Sequence, residues 1–134
     1  MSDANPYFAE IQAVNAEVQA WYNGTAPAGA LDHLMAHFAA QFSMILPDGG
    51  TLDWPMLREI FSQYGGARPD FKIQITDSTI LTQYPGGAVV TYIERQSDGE
   101  HNRNVRRSTA VLELDAHGTV RWRHLQETFC SDPK

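Results

Sequence analysis

Two residues on the strand-like stretches of this chain could exchange protons near neutral pH. Glu94 lies in AVVTYIERQ, where alternation puts it on one face with Tyr92 and the apolar residues before it. If that face points into a core, desolvation raises the pKa of the carboxyl group and makes it a credible general base. His124, in RWRHLQETF, carries an imidazole. Glu94 and His124 are therefore the candidate catalytic residues.

Each of these two residues also has an ordinary structural explanation. The stretch that follows Glu94 contains Arg103, Arg106 and Arg107, and partly buried Glu–Arg ion pairs are common structural elements. His124 could hydrogen-bond a neighbouring strand or a helix end. The sequence leaves both alternatives open.

A ligand site is predicted on a sheet face to which the last two strand-like segments both contribute side chains. If the DAHG turn has an even-numbered loop, Arg107 and Thr109 fall on the same face as Trp122 and His124. A polar cluster beside an indole suits a carboxylate or another small anion. An odd-numbered loop would reverse this partnership. The predicted ligand-binding residues are Tyr22, Trp54, Tyr92, Arg107, Thr109, Trp122, Gln126 and Thr128.

A histidine pair raises the question of a metal site. His33 and His37 stand four residues apart, which places two imidazoles on one helical face. A zinc site needs a third ligand, and no neighbouring Glu or Cys pattern supplies one. The sequence therefore predicts no metal site, and Cys130 has no evident base partner.

Helices are predicted in the first half of the chain. Apolar residues spaced by three or four predict one helix over 6–22, with Asn5 as its N-cap and Gly24 after its end. The same spacing predicts a second helix from Leu31 to about Ala40, and QFSMIL predicts a strand over 41–46. A third helix is expected after Asp53, its predicted N-cap.

From Phe71 onward, apolar residues recur with period two. FKIQITDSTIL, AVVTYIERQ, VRRSTAVLEL and TVRWRHLQETF are separated by turn residues, which predicts four strands in meander order. Three helices followed by an antiparallel meander indicate an α+β fold with helices packed on one face of a curved sheet.

Composition limits the partners of the chain. A length of 134 residues corresponds to one domain, which we expect to span residues 1–134. The net charge of -6 disfavours nucleic acid and anionic membranes, and no apolar run approaches the length of a membrane helix. A lone cysteine and an N-terminal MSDANPYFAEI without signal-peptide character predict a cytoplasmic protein.

Three phrases resemble the nuclear transport factor 2-like (NTF2-like) superfamily, and its kinase association-domain branch most of all. AVVTYIERQ is similar to the third-strand phrase of that branch, RSTAVLELDAHGTVRW to its fourth strand and turn, and HLQET to its closing His-x-His-x-Ser phrase. The resemblance implies a cone-shaped, cystatin-like fold with a pocket in its mouth. It also implies a homodimer through the outer sheet face, where alternation would place Leu125 and Phe129 among Arg121, Arg123 and Glu127.

The same resemblance narrows the chemistry. Gln126 stands where the branch has its second histidine, so a His-pair mechanism is not supported. In ketosteroid isomerases of this superfamily, an aspartate that acts as the general base stands at the position that is Leu46 here. The nearest acid in this chain, Asp48, comes after the proline of the turn instead of before it. We expect a small-molecule binding or dimeric association domain without a cofactor, binding an apolar or carboxylate-bearing molecule. The alternative is a cofactor-free isomerase, cyclase or dehydratase.

Overall fold

A computed structural model describes residues 5–133. The N-terminal stretch that was predicted to lack signal-peptide character lies partly outside the described residues, at positions 1–4. Helices dominate the first half of the described chain and strands the second half. The elements are α1 (Pro6–Asn23), α2 (Ala30–Met35), β1 (Phe38–Ile45), β2 (Thr51–Asp53), α3 (Trp54–Tyr64), β3 (Phe71–Tyr84), β4 (Gly87–Asp98), β5 (His101–Leu114) and β6 (Val120–Phe129).

Capping residues set the ends of α1 and α3 as predicted. The Asn5 side chain accepts hydrogen bonds from the first backbone N–H groups of α1. Gly24 ends α1 in the left-handed region, with φ at 79°, which glycine adopts at no steric cost. Asp53 accepts a hydrogen bond from the backbone of Met56 at 3.0 Å and caps α3.

The predicted second helix is too long. It ends at Met35 rather than near Ala40, and the chain enters β1 at Phe38. β1 pairs in parallel with β6, and the backbone N–H of Trp122 already bonds the carbonyl of His37 at 2.9 Å. Phe38 and Phe42 are both buried, and residues four apart share one face of a strand as well as one face of a helix, so their spacing does not distinguish the two structures. The three-residue β2 was also not predicted.

The sheet has six strands in the order β2-β1-β6-β5-β4-β3, and each neighbouring pair is antiparallel except β1 and β6. The predicted meander is β3 to β6, and the α+β fold class is confirmed. β3 is a long free edge, with register shifts after Thr76 and Ile80 and a left-handed Asp77 at φ 59°.

The helices cover the inner face of this sheet and enclose the core. Tyr7, Ile11 and Val14 of α1 are buried against inward residues of the strands, among them Val90 and Trp122. Glu94, Ser108 and Glu127 are the polar residues buried among those described. No helix within residues 5–133 has the length and apolar character needed to cross a membrane.

A bulge in β6 decides which of its residues face the core. Leu112 pairs with Trp122, but the preceding Val111 pairs with His124, so Arg123 is an extra residue on β6. One inserted residue exchanges the two faces of all that follows. Trp122 faces inward as predicted, whereas the inward residues after the bulge are Leu125 and Glu127.

Candidate functional site

A cavity of about 310 Å³ lies between the inner face of the sheet and helices α1 and α3. Most of its lining is apolar or aromatic, because it is formed by the core-facing stripes of the helices and the inward rows of the strands. Its apolar lining includes Val14, Val18, Phe38, Phe42, Met44, Leu46, Leu52, Leu57, Ile60, Phe61, Phe71, Ile73, Trp122 and Leu125.

Four polar side chains meet in the lining of this cavity, and we call them the polar end. They are Glu94 and Gln96 of β4, Arg106 of β5 and Glu127 of β6. Arg106 Nη1 donates to Glu127 Oε1 at 2.9 Å, and Arg106 Nη2 donates to Gln96 Oε1 at 3.3 Å. The Gln96 amide in turn donates to the Glu94 carboxylate. Asn104 Oδ1 accepts two further bonds from the guanidinium.

Burial changes the ionisation of both glutamates at the polar end. Desolvation raises the pKa of Glu94 from 4.5 to about 7, and the neighbouring charge of Glu127 adds to this rise. Burial also raises the pKa of Glu127, although the Arg106 guanidinium opposes that change. Two carboxyl groups and one guanidinium therefore share a buried site, where a proton on Glu94 relieves the repulsion between the carboxylates.

Two phenols complete the polar contacts of the cavity. Burial, followed by the charges of Glu94 and Glu127, raises the pKa of Tyr92 well above its usual value, so the phenol stays protonated. Burial likewise raises the pKa of Tyr22, which packs edge-on against Phe71 with ring centroids 5.2 Å apart. Both hydroxyl groups can act as hydrogen-bond donors at neutral pH.

A salt bridge fixes Arg68 beside the aromatic rings of Tyr22 and Phe71 at one side of the cavity. Arg68 stacks over the Phe71 ring at 3.9 Å from its centroid and makes two hydrogen bonds to Asp98, at 2.9 and 3.0 Å. The guanidinium is thus fixed between a ring and a carboxylate.

One solved structure decides the family. An NTF2-like protein of unknown function from Pseudomonas aeruginosa is 43% identical, covers 95% of this chain and all of its own, and superposes with a TM-score of 0.92. The chain belongs to the NTF2-like family. The resemblance stated from sequence is therefore confirmed. No protein-family model matches the chain, and a search of curated proteins finds no match either.

More distant structures share the fold of this NTF2-like chain. A ketosteroid isomerase-like protein from Erwinia carotovora atroseptica is 14% identical, covers 92% of this chain and 96% of its own, and gives a TM-score of 0.60. A putative calcium/calmodulin-dependent protein kinase type II association domain from Thiobacillus denitrificans is 16% identical, covers 94% and 93% of the two chains, and gives 0.66. At this identity the likeness concerns the fold alone.

The NTF2-like fold brings four predicted site residues into one cavity. Tyr22, Tyr92, Glu94 and Trp122 all line it. Trp54 lies outside the lining; it packs against the core, and its indole N–H donates to the carbonyl of Met35 at 3.2 Å. The catalytic and binding roles of the four lining residues stay predictions.

The remaining predicted residues lie on the outer face of the sheet. Leu114 pairs with Val120, so the loop between β5 and β6 spans five residues, 115–119, and the odd-numbered alternative holds: Arg107 and Thr109 face away from Trp122. The Arg123 bulge then moves the residues of β6 that follow it to the outer face as well, where they alternate with the inward Leu125 and Glu127. The predicted polar residues are thus separated from Trp122 and from the cavity. His124 Nδ1 hydrogen-bonds Ser43 Oγ at 2.7 Å, which is the structural alternative stated above. The residues relocated to the outer face are Arg107, Thr109, His124, Gln126 and Thr128.

The predicted dimer face changes for the same reason. Leu125 and Glu127 were expected outside and line the cavity instead. Phe129 is 53% exposed, and the Arg106 guanidinium lies 5.0 Å from its ring centroid, beside the polar end.

Glu127 is the main residue of the polar end that the sequence did not indicate. Simple alternation from Trp122 puts it on the outside, and nothing in RWRHLQETF marks the bulge. Arg106 was among the three arginines considered as partners of Glu94, and it does stand opposite Glu94 in the register. Its nearest carboxylate partner, however, is Glu127.

The turn after β1 carries no acid into the cavity of this NTF2-like protein. Leu46 lines the cavity, and a leucine cannot abstract a proton. Asp48 is exposed, and its side chain accepts a hydrogen bond from the backbone of Gly50 at 2.8 Å. Asp48 therefore has a turn-forming role.

A second polar cluster lies on α1 and the α2–β1 segment, outside the cavity lining. Glu17 contacts both His33 and His37, and Glu10 contacts the other ring nitrogen of His37. No third partner for the histidine pair was predicted from the sequence. The fold supplies Glu17, because α1 packs alongside α2.

Proposed function

We propose that this protein binds a small organic molecule in the cavity, with an apolar body and one uncharged oxygen group. The observation that carries the proposal is a largely apolar, 310 Å³ lining in which four polar side chains are hydrogen-bonded together at the polar end. That volume lies at the lower limit of about 300–1,000 Å³ for small-molecule sites. A molecule of one or two rings matches it.

The polar end favours a hydroxyl or carbonyl group over a carboxylate. Arg106 already bonds Glu127, Gln96 and Asn104. Two glutamates and one arginine give this end a charge of zero or below, which opposes an anion. A protonated Glu94 can donate to a carbonyl, and Tyr92 offers a second donor in the same lining.

A matched pair of variants tests where binding takes place. Val18→Phe places a ring in the cavity, whereas Leu81→Phe places a ring at an exposed position of β3. Binding of small cyclic ketones and alcohols would be followed by two-dimensional NMR of labelled protein. We expect Val18→Phe to weaken binding at least tenfold and Leu81→Phe to leave it unchanged. Equal affinities in both variants would refute binding in the cavity.

A second candidate function is proton transfer without a cofactor, as in an isomerase, cyclase or dehydratase. The observation that favours it is the buried carboxyl of Glu94 in a largely apolar cavity, with its pKa raised to about 7 by burial. A base of this kind can remove a proton next to a ketone. The test is deuterium uptake at that carbon in heavy water, for a ketone that binds.

The two candidate functions make different demands on Glu94. If Glu94→Gln binds the ketone but no longer accelerates exchange, while Glu113→Gln on the exposed part of β5 still does, catalysis is supported. If the native protein gives no exchange above buffer, the binding function alone remains.

We also propose a homodimer through the outer face of β4 to β6. This face carries cross-strand rows of apolar and polar side chains, such as Val89, Val111 and His124, or Ile93, Arg107 and Thr128. Such a mixed surface is typical of a non-obligate interface. Thr109→Glu should shift light-scattering mass toward 15.0 kDa, the mass of one chain. The cytoplasmic location stays a prediction.

A further inference from the structure

The Glu17, His33 and His37 side chains form a compact group of metal-binding donors. One ligand atom from each residue lies within 4.8 Å of the others. We propose that this group is a binding site for a divalent transition-metal ion of the Zn²⁺ type. It is separate from the cavity function, since none of the three residues lines the cavity.

The distances fit a tetrahedral ion after small adjustments. Glu17 Oε1 lies 2.9 Å from His33 Nδ1, and Glu17 Oε2 lies 2.7 Å from His37 Nε2. Zinc bonds of about 2.0–2.1 Å that meet at a tetrahedral angle separate their ligand atoms by roughly 3.3 Å. The two Glu17 contacts must therefore lengthen by about half an ångström, and the two imidazole nitrogens, which lie within 4.8 Å of each other, must settle at the same spacing around an ion.

The arrangement of His37 is the strongest support for this site. Its Nε2 points at the group, while its Nδ1 lies 2.7 Å from Glu10 Oε2. Glu10 is held in turn by the indole N–H of the buried Trp122, at 3.1 Å. Zinc-ligating histidines usually donate their other N–H to such a carboxylate, which fixes the ring and the tautomer. Glu10 is thus a positioning residue.

The donor set and the surroundings define the kind of ion. Two imidazole nitrogens and one carboxylate oxygen suit Zn²⁺ and neighbouring divalent ions, with a fourth position left for water. Two surface grooves reach the group, one lined by Glu10, His33 and His37 and the other by Glu17 and His33. The side chain of His33 is 72% exposed, so an ion can enter from solvent.

A bound ion would join parts of the chain that are distant in sequence. Glu17 belongs to α1, His33 to α2, and His37 to the turn that leads into β1. An ion that binds the folded chain and not the unfolded chain stabilises the fold in proportion to the logarithm of its concentration. We therefore expect Zn²⁺ to raise the melting temperature of the protein.

The test uses the full chain with no affinity tag, because added histidines bind zinc themselves. Isothermal titration with Zn²⁺ would compare the native protein with His33→Ala, Glu17→Gln and Glu10→Gln. His117→Ala, at an exposed turn, is the control. Titration with Co²⁺ would report four-coordinate binding through its visible absorption. Circular dichroism of each metal-free variant would show that it is folded.

We expect one Zn²⁺ per chain and a Co²⁺ spectrum of a four-coordinate site. His33→Ala and Glu17→Gln should weaken binding at least about tenfold, and Glu10→Gln by about 10–100-fold with the Co²⁺ spectrum retained. His117→Ala should bind as the native protein does. Absence of stoichiometric Zn²⁺ binding, or native affinity in folded His33→Ala, would overturn the proposal and leave an ion-paired cluster only.

Discussion

Glu94→Gln should remove most of a pH dependence in the stability of this protein. The folded state holds the proton of Glu94 up to about pH 7, whereas an unfolded chain releases it near 4.5. Between these values the folded state binds more protons, so its stability falls as the pH rises. The contribution of the Glu94 proton to the free energy of unfolding is fully present below about pH 4.5 and is lost as the pH rises through 7.

The size of this effect follows from the width of that window. A difference of about 2.5 pH units, at about 1.4 kcal/mol per unit, gives roughly 3 kcal/mol. Glu94 is only 3% exposed, so little of this is screened by water. Glutamine has nearly the same shape and no charge, and the variant should therefore lose this part of the pH dependence.

Urea unfolding at pH 4.5, 5.5, 6.5, 7.5 and 8 would measure this pH dependence. The free energy of unfolding of the native protein relative to Glu94→Gln should fall by about 3 kcal/mol from pH 4.5 to pH 8. Glu127 titrates as part of the same pair, so Glu127→Gln should also flatten the curve. Glu113→Gln, at an exposed position, is the control. Parallel curves for the native protein and Glu94→Gln would refute the assignment of a buried, protonated carboxyl.

Three further substitutions test the framework around the site by urea unfolding. Arg106→Leu leaves Glu127 buried without its cation and should lose about 3–5 kcal/mol at pH 8; a loss below 1 kcal/mol would contradict the ion pair. Gly87→Ala drives a methyl into a carbonyl of β5 and should lose at least about 2 kcal/mol, whereas Gly86→Ala meets open space and should not. Asn23→Ala removes three bonds to backbone carbonyls before and within β3 and should lose about 1–3 kcal/mol; native stability would show those bonds to be dispensable.

Local patterns predicted much of this fold. Caps at Asn5 and Asp53 and period-two stretches after Phe71 act through nearby residues, so the sequence displays them directly. The start of β1 was missed because Phe38 and Phe42 have helical spacing and are buried for a tertiary reason, the parallel pairing with β6. Parallel pairing joins residues more than eighty positions apart, and no local signal marks it.

Part of the candidate site was predicted from the sequence and part was missed, because the missed part also depends on non-local structure. Glu94 and Tyr92 stand on a regular strand, so alternation placed them inside. Beyond Trp122, a single bulged residue exchanged the faces and brought in Glu127 while it removed His124. The third partner of the histidine pair, Glu17, depends on how two helices pack, which spacing along one helix cannot reveal.

The free edge formed by β3 has a consequence for how this protein behaves at high concentration. Gln19 and Asn23 of α1 bond the backbone of this fourteen-residue edge strand at Ile73 and Phe71. The rest of the strand is a template on which another copy could add its own strand. The two register shifts and the left-handed Asp77 interrupt that template, and Lys72 puts a charge on it. The irregularities that fit β3 to its neighbour thereby also protect the protein against growth into edge-to-edge aggregates.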